Sequence, residues 1–165
     1  MKRQYSRAEI VQGRLAFWLL VGFSLAGLFT YGLPSSATFV RISETLQQRV
    51  GGLFSFRFIL QPIMAAVMAM FDGYGDAKAQ ETPYLQKMIS APREMKSNLS
   101  DALFSTARII LLGLAMDTIF QIVVFDSFFP FEAAFVAILL AVLPYVVLRG
   151  PFARLAGWWL ARTSA

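Results

Sequence analysis

The chain of 165 residues has no cysteine and no histidine. Structural zinc sites need one or both of these residues, as do iron–sulfur clusters and the commonest haem attachments. Disulfides and thiolate nucleophiles are excluded outright. So is a histidine general base, and with it any Ser-His-Asp or Cys-His arrangement. Charge is scarce as well: 15 % of residues are Asp, Glu, Lys or Arg, while 57 % are hydrophobic. Soluble domains run near 25 % and 45–50 % by comparison. Both departures point to a membrane protein.

Long polar stretches are also missing. Four spans of about 20 residues would take roughly half the chain, and the longest stretch left over is 72–102. Segments under about 40 residues rarely build a core of their own, so no soluble domain is expected and the protein acts in or at the bilayer.

What is present is a series of apolar runs. Residues 15–33 carry no charge and follow Lys2, Arg3, Arg7 and Arg14. The run is longer than the 7–15 residues usual in the apolar part of a signal peptide and reads as a first span. The second covers about 53–71 and contains Arg57, Gln61 and Pro62. The third covers 103–125 and contains Arg108 and Asp117, and the fourth covers 132–148. The short link between the last two predicts an antiparallel helical hairpin. The expected fold is an all-α integral membrane protein with four transmembrane helices in one membrane domain.

Loop charges orient these spans. With the N-terminus inside, only Arg41, Arg49 and Arg57 of the 15 basic residues fall on the outer side. Both termini are then cytoplasmic, and the net charge of +5 serves topology and attraction to anionic lipid. Between spans one and two, Phe39, Ile42, Leu46 and Val50 recur at helical spacing, which predicts an amphipathic helix over 35–50 on the outer surface. Residues 72–102 read as a cytoplasmic loop whose end already continues the helical face of span three. Residues 149–162, with Arg154, Trp159 and Arg162, read as a C-terminal interfacial segment. Basic residues are dispersed, so no nucleic-acid partner is expected.

Ionisable groups inside a span are costly and are functional candidates by default. Arg57, Gln61, Asp72 and Asp76 share one stripe of span two, and Asp117 and Gln121 share a face of span three. Counting depth from the outer ends, Arg57 is level with Gln121, and Gln61 with Asp117. Arg57, Gln61, Asp117 and Gln121 are therefore expected to form one buried polar cluster, with Asp72 and Asp76 as acids at the inner mouth. Such a cluster could relay protons or ions, or fix helix register as an ion pair; the second reading is favoured, because the inner half offers no matching polar groups. No catalytic, cofactor-binding or metal-ligating set is visible.

Small residues repeat every four positions at Ala133, Ala137 and Ala141, at Gly22 and Ala26, and at Ala65 and Ala69. Such faces let helix backbones approach closely, and part of this surface is expected to meet another protein. Phe54, Phe56 and Phe58, with Phe125, Phe128, Phe129 and Phe131, form an outer collar suited to core packing or to lipid or pigment contact.

The stretches 57–65 (RFILQPIMA), Asp72-Gly73 with Asp76-Ala77, 117–121 (DTIFQ) and 148–151 (LRGP) resemble small uncharacterised bacterial inner-membrane proteins. The resemblance implies the bacterial inner membrane and carries no activity. The expected role is a non-enzymatic accessory or scaffold subunit that docks onto a larger membrane protein complex through its helix faces. The alternative is a small homo-oligomeric transporter or channel using the Arg/Asp/Gln cluster.

Overall fold

Ser6 and Glu9 start the first helix. The Ser6 hydroxyl accepts from the Glu9 amide at 3.2 Å, and the Glu9 carboxylate accepts from the Ser6 amide at 2.8 Å, a reciprocal cap that satisfies two amides with no helical partner. Helix α1 therefore runs Arg7–Tyr31 and begins before the apolar stretch does. It ends at Gly32, whose φ of 78° is one that side chains disfavour. The others are α2 (Ser36–Val50), α3 (Arg57–Lys78), α4 (Met95–Phe125) and α5 (Pro130–Thr163). This computed structural model describes residues 5–50, 55–81, 84, 86 and 95–163. Among them there is no strand, and α1, α3, α4 and α5 are long and apolar enough to cross a membrane. The protein is an all-helical, multi-pass membrane protein by that criterion.

Several boundaries differ from the sequence expectation. Helix α3 continues past Phe71 to Lys78, and α4 begins at Met95. Asp72 and Asp76 thus lie on a helix rather than in a loop over 72–102; most of 79–94 lies outside the described residues. Helix α5 does not stop at Leu148 but passes through Pro144 and Pro151 to Thr163. A proline inside a membrane helix is tolerated where neighbouring elements compensate, and α3 is packed against this segment. A Cβ on Gly73 would stand 2.8 Å from the Arg149 carbonyl oxygen and 2.9 Å from the Ala153 nitrogen.

Helix α5 is the hub: α1, α3 and α4 all pack on it. Helix α4 also contacts α1 and α3, whereas α1 and α3 make little direct contact. The centre is a layer of small and branched side chains. Ala65, Ala69, Ala133, Ala137 and Ala141 are essentially inaccessible, together with Ile110 and Leu114. The alanine repeats of α3 and α5 are therefore the close-packing faces that their spacing predicts. The Gly22/Ala26 pair is not: both residues are exposed, and a Cβ on Gly22 would meet nothing. Helix α1 packs instead through Gly13, Ala16, Leu20 and Gly27. Gly27 lies so close to the start of α5 that a Cβ there would come within 2.8 Å of the Phe131 nitrogen. A four-residue repeat of small residues marks a possible contact face, but α1 turns the face carrying Ala16 and Leu20 to the bundle instead.

Helix α2 shows the expected amphipathic pattern only in part, since Phe39, expected on the apolar face with Ile42, is exposed. Ile42 is buried, while Phe39 and Val40 are about half exposed. The aromatic collar is filled largely from within the chain. Phe23 meets Phe128 edge-on at 5.6 Å, Tyr31 lies 5.0 Å from Phe129, and Phe39 lies 6.1 Å from Phe135. Phe56 is exposed, and Phe54 lies outside the described residues.

Candidate functional site

Polar side chains gather at two levels of the bundle. The first is the one expected from Arg57, Gln61, Asp117 and Gln121. Gln61, Asp117 and Gln121 are all buried, at 1 % exposure or less. Gln121 joins the end of α4 to the start of α5: its carbonyl oxygen accepts from the Phe129 amide at 2.5 Å. Its Nε2 donates to the Asp117 carboxylate at 2.6 Å and to the Phe129 carbonyl at 3.4 Å. The turn it closes includes Asp126 at φ 47°, and Asp is among the few side chains that tolerate that region. Gln61 does not join this group. Its Nε2 donates to the Ile109 carbonyl at 3.2 Å and lies over Gly113, where a Cβ would stand 2.3 Å from it.

The predicted register between α3 and α4 is therefore off by about one turn. Gln61 faces Ile109 and Gly113 rather than Asp117. The two helices run antiparallel, so one turn back along α3 brings the backbone of Arg57 level with Asp117. The side chain of Arg57 lies outside the described residues. Depth counting failed because it assumed that the two spans share a common outer boundary, whereas the packing of Gln61 on Ile109 and Gly113 offsets the helices by about one turn.

The second level was anticipated only as a pair of acids. Asp72 is buried on α3, and its Oδ2 accepts from Ser105 Oγ at 2.9 Å and from Tyr145 OH at 2.6 Å. One turn on, Arg149 grips Asp76 with both prongs: Nε donates to Oδ2 and Nη2 to Oδ1, each at 2.8 Å. Nη1 of the same guanidinium donates to the Tyr145 hydroxyl at 2.8 Å. The result is one connected chain, Asp76–Arg149–Tyr145–Asp72–Ser105. Both side chains of the ion pair are little exposed, at 13 % and 12 %. At that exposure the forked geometry, rather than charge alone, holds the pair.

Tyr84 closes one side. The Arg149 guanidinium stands 4.3 Å from its ring centre, a cation–π distance, and its hydroxyl donates to the Asn98 carbonyl. Burial pushes the Tyr84 phenol well above its ordinary value of 10, against a smaller opposing pull from Arg149. The Asn98 amide nitrogen is buried with no hydrogen-bond partner among the described residues. On the open side a cavity of about 600 Å³ is lined by Tyr5, Asp72, Asp76, Asp101 and Arg149, among others.

Sequence reading missed Ser105, Tyr145, Arg149 and Tyr84. A signal was available: Asp72 and Asp76 are four apart on one span, and Tyr145 and Arg149 are four apart on another. Two such pairs form successive rungs between parallel helices, and α3 and α5 are parallel. A third polar link was also missed. Arg41 of α2 donates through Nε to Glu132 at 2.6 Å; Glu132 is buried and Arg41 partly exposed. The Arg41 guanidinium also stands 4.0 Å from the Phe129 ring centre. Among the described residues no group of His, Cys, Asp or Glu could hold a metal ion.

No family model, curated protein or solved structure matches the chain significantly.

Proposed function

We propose that this chain is a non-enzymatic accessory or scaffold subunit of a larger membrane protein complex. In this reading it resides in a bacterial inner membrane with both termini cytoplasmic, and α2 and the end of α5 lie in the interfaces. The resemblance of its RFILQP and Asp72/Asp76 stretches to small bacterial inner-membrane proteins fits that location. One observation carries the role. Gln61, Asp117 and Gln121 at one level and Asp72 and Tyr145 at the other bond to one another or to neighbouring backbone, while the alanine layer of Ala65, Ala69, Ala137 and Ala141 separates the two levels. Groups arranged in this way hold helices in register, whereas a transport route needs polar groups through the whole thickness. The outward Gly22/Ala26 pair leaves a small-residue face on α1 for a partner helix.

The test is gentle solubilisation of the tagged full chain, followed by sizing and mass spectrometry. A stoichiometric larger complex, lost on Gly22→Leu with the chain still folded, is the expected result. A lone symmetric oligomer would overturn the proposal. One observation favours a second reading, a small homo-oligomeric transporter or channel: the 600 Å³ cavity opens directly onto Asp72. In that case Asp72→Asn abolishes a reconstituted flux without changing the oligomer.

A further inference from the structure

Helices α1 and α4 run parallel, with Tyr5 bonded to Asp101 and Gln12 to Arg108, so their N-terminal ends lie on one side of the bundle. On one flank of this pair a cavity of about 700 Å³ remains open. Phe17, Val21 and Leu25 line it on α1, Leu103 on α4, and Ile138 and Val142 on α5. Lys96 of α4 is its one charged lining residue, and no Asp or Glu lines it among the described residues. Gly13 packs on Phe104, which fixes the levels of the two walls. Counted from that contact at 1.5 Å per residue, Lys96 lies roughly 12 Å toward the N-terminal ends and Leu25 roughly 18 Å the other way. Lys96 is roughly 44 Å from the Phe125 end of α4, and hydrocarbon plus headgroups measure about 40–45 Å. Lys96 therefore stands among headgroups, and the apolar groove runs from it past the middle of the layer.

A second cation stands at the same end. Arg14 is one turn before Phe17 on the α1 stripe that continues through Val21. Its side chain leans toward the N-terminus of its helix, the end that carries Lys96. Arg14 and Lys96 are both exposed. Among the described residues neither makes a hydrogen bond or an ion pair. Two cations without an acid, one on each wall, and an apolar groove leading away from them together describe a site for an anionic amphiphile. Arg is suited to phosphate, which it can engage with two parallel N–H bonds, and Lys adds a second positive charge. A headgroup that carries its own ammonium would be repelled by both.

We propose that the groove between α1, α4 and α5 binds an anionic phospholipid, with its headgroup at Arg14 and Lys96 and an acyl chain along Phe17, Val21 and Leu103. This requires only that the helices span a bilayer. Phe17 and Val21 lie on another stripe of α1 than Gly22 and Ala26, so the site stands apart from the subunit role.

The full chain is purified in detergent, delipidated and titrated with phosphatidylglycerol or phosphatidylethanolamine of the same acyl chains. Bound lipid and oligomeric state are read by native mass spectrometry, with thermal unfolding alongside. Phosphatidylglycerol is expected to bind more tightly and to raise the melting temperature. The double variant Arg14→Gln/Lys96→Gln should weaken its binding by about tenfold or more and erase the preference between the two lipids. Both side chains are exposed and unpaired, so its melting temperature without lipid should match that of wild type. Arg154→Gln removes an exposed cation from another face of α5 and should leave binding unchanged, which separates this groove from general attraction to a basic surface. Val21→Trp fills the groove away from the charged end and should also expel the lipid. Equal binding of the two lipids, full binding by the double variant or by Val21→Trp, or a dimer that takes the place of bound lipid would each overturn the assignment.

Discussion

Arg149 and Asp76 stand 73 residues apart in sequence and meet through two hydrogen bonds of 2.8 Å each. Breaking a buried pair from one side leaves an uncompensated charge and typically costs about 3–5 kcal/mol. Arg149→Gln is therefore expected to lower the melting temperature sharply, and Arg149→Lys to recover only part of the loss, because an ammonium cannot fork. Thermal unfolding of Arg149→Gln, Asp76→Asn and the double variant checks this: the double change should cost clearly less than the two singles added.

Gly73 and Gly75 lie two residues apart on α3 and should behave oppositely. A Cβ on Gly73 meets the α5 backbone below 3 Å, whereas one on Gly75 meets nothing. Gly73→Ala is expected to push α3 from α5 and destabilise the protein strongly. Gly75→Ala should be neutral or stabilising, by up to about 1 kcal/mol, since alanine favours helix. Melting temperatures of the two variants in one detergent decide it.

Gln121→Leu keeps much of the side chain's size and removes its hydrogen bonds. The Phe129 amide then loses its partner, a cost of about 1–3 kcal/mol for a buried group. The α4–α5 turn should loosen first, seen as faster amide exchange at residues 126–129 and 131 before any global unfolding. Unchanged exchange there would contradict the role given to Gln121.

Alkaline pH should act through Tyr84. Its phenol is held neutral by burial, well above the ordinary value of 10, so the unfolded chain releases this proton first. The stability tied to the neutral phenol is present in full below about pH 10 and is lost progressively as pH climbs from there toward the raised folded value. Tyr84→Phe cannot ionise, so its melting temperature should fall less than that of wild type between pH 9 and pH 11.

Arg41 ties α2 to the bundle through Glu132 of α5. Arg41→Ala removes the Arg41–Glu132 ion pair, whose acid is 1 % exposed, and should make α2 more accessible to proteases, with the four long helices intact.

The four spans were legible because each is a long apolar run, and helix length follows bilayer thickness. Their ends were not, since caps and packing set them. The Ser6/Glu9 box carries α1 back to Arg7, and contact with Gly73 carries α5 through Pro151, where a proline taken alone reads as a break. Gln121 and Asp117 could be paired from their spacing on one helix. The Asp72 and Asp76 partners could not be found locally: Tyr145 looks like one more apolar residue of a span, and Arg149 like one more cytoplasmic charge. Only the relative register of two distant helices brings them together.

That distance also constrains how the protein is made. At about 5–20 residues per second, Arg149 leaves the ribosome roughly 4–15 s after Asp76. For that interval Asp76 on α3 lacks the guanidinium that grips it, and Asp72 lacks the Tyr145 hydroxyl for nearly as long. Seating of α3 must wait for α5, so biogenesis closes from the last helix backward, and a chain truncated before Tyr145 should be a substrate for membrane quality control.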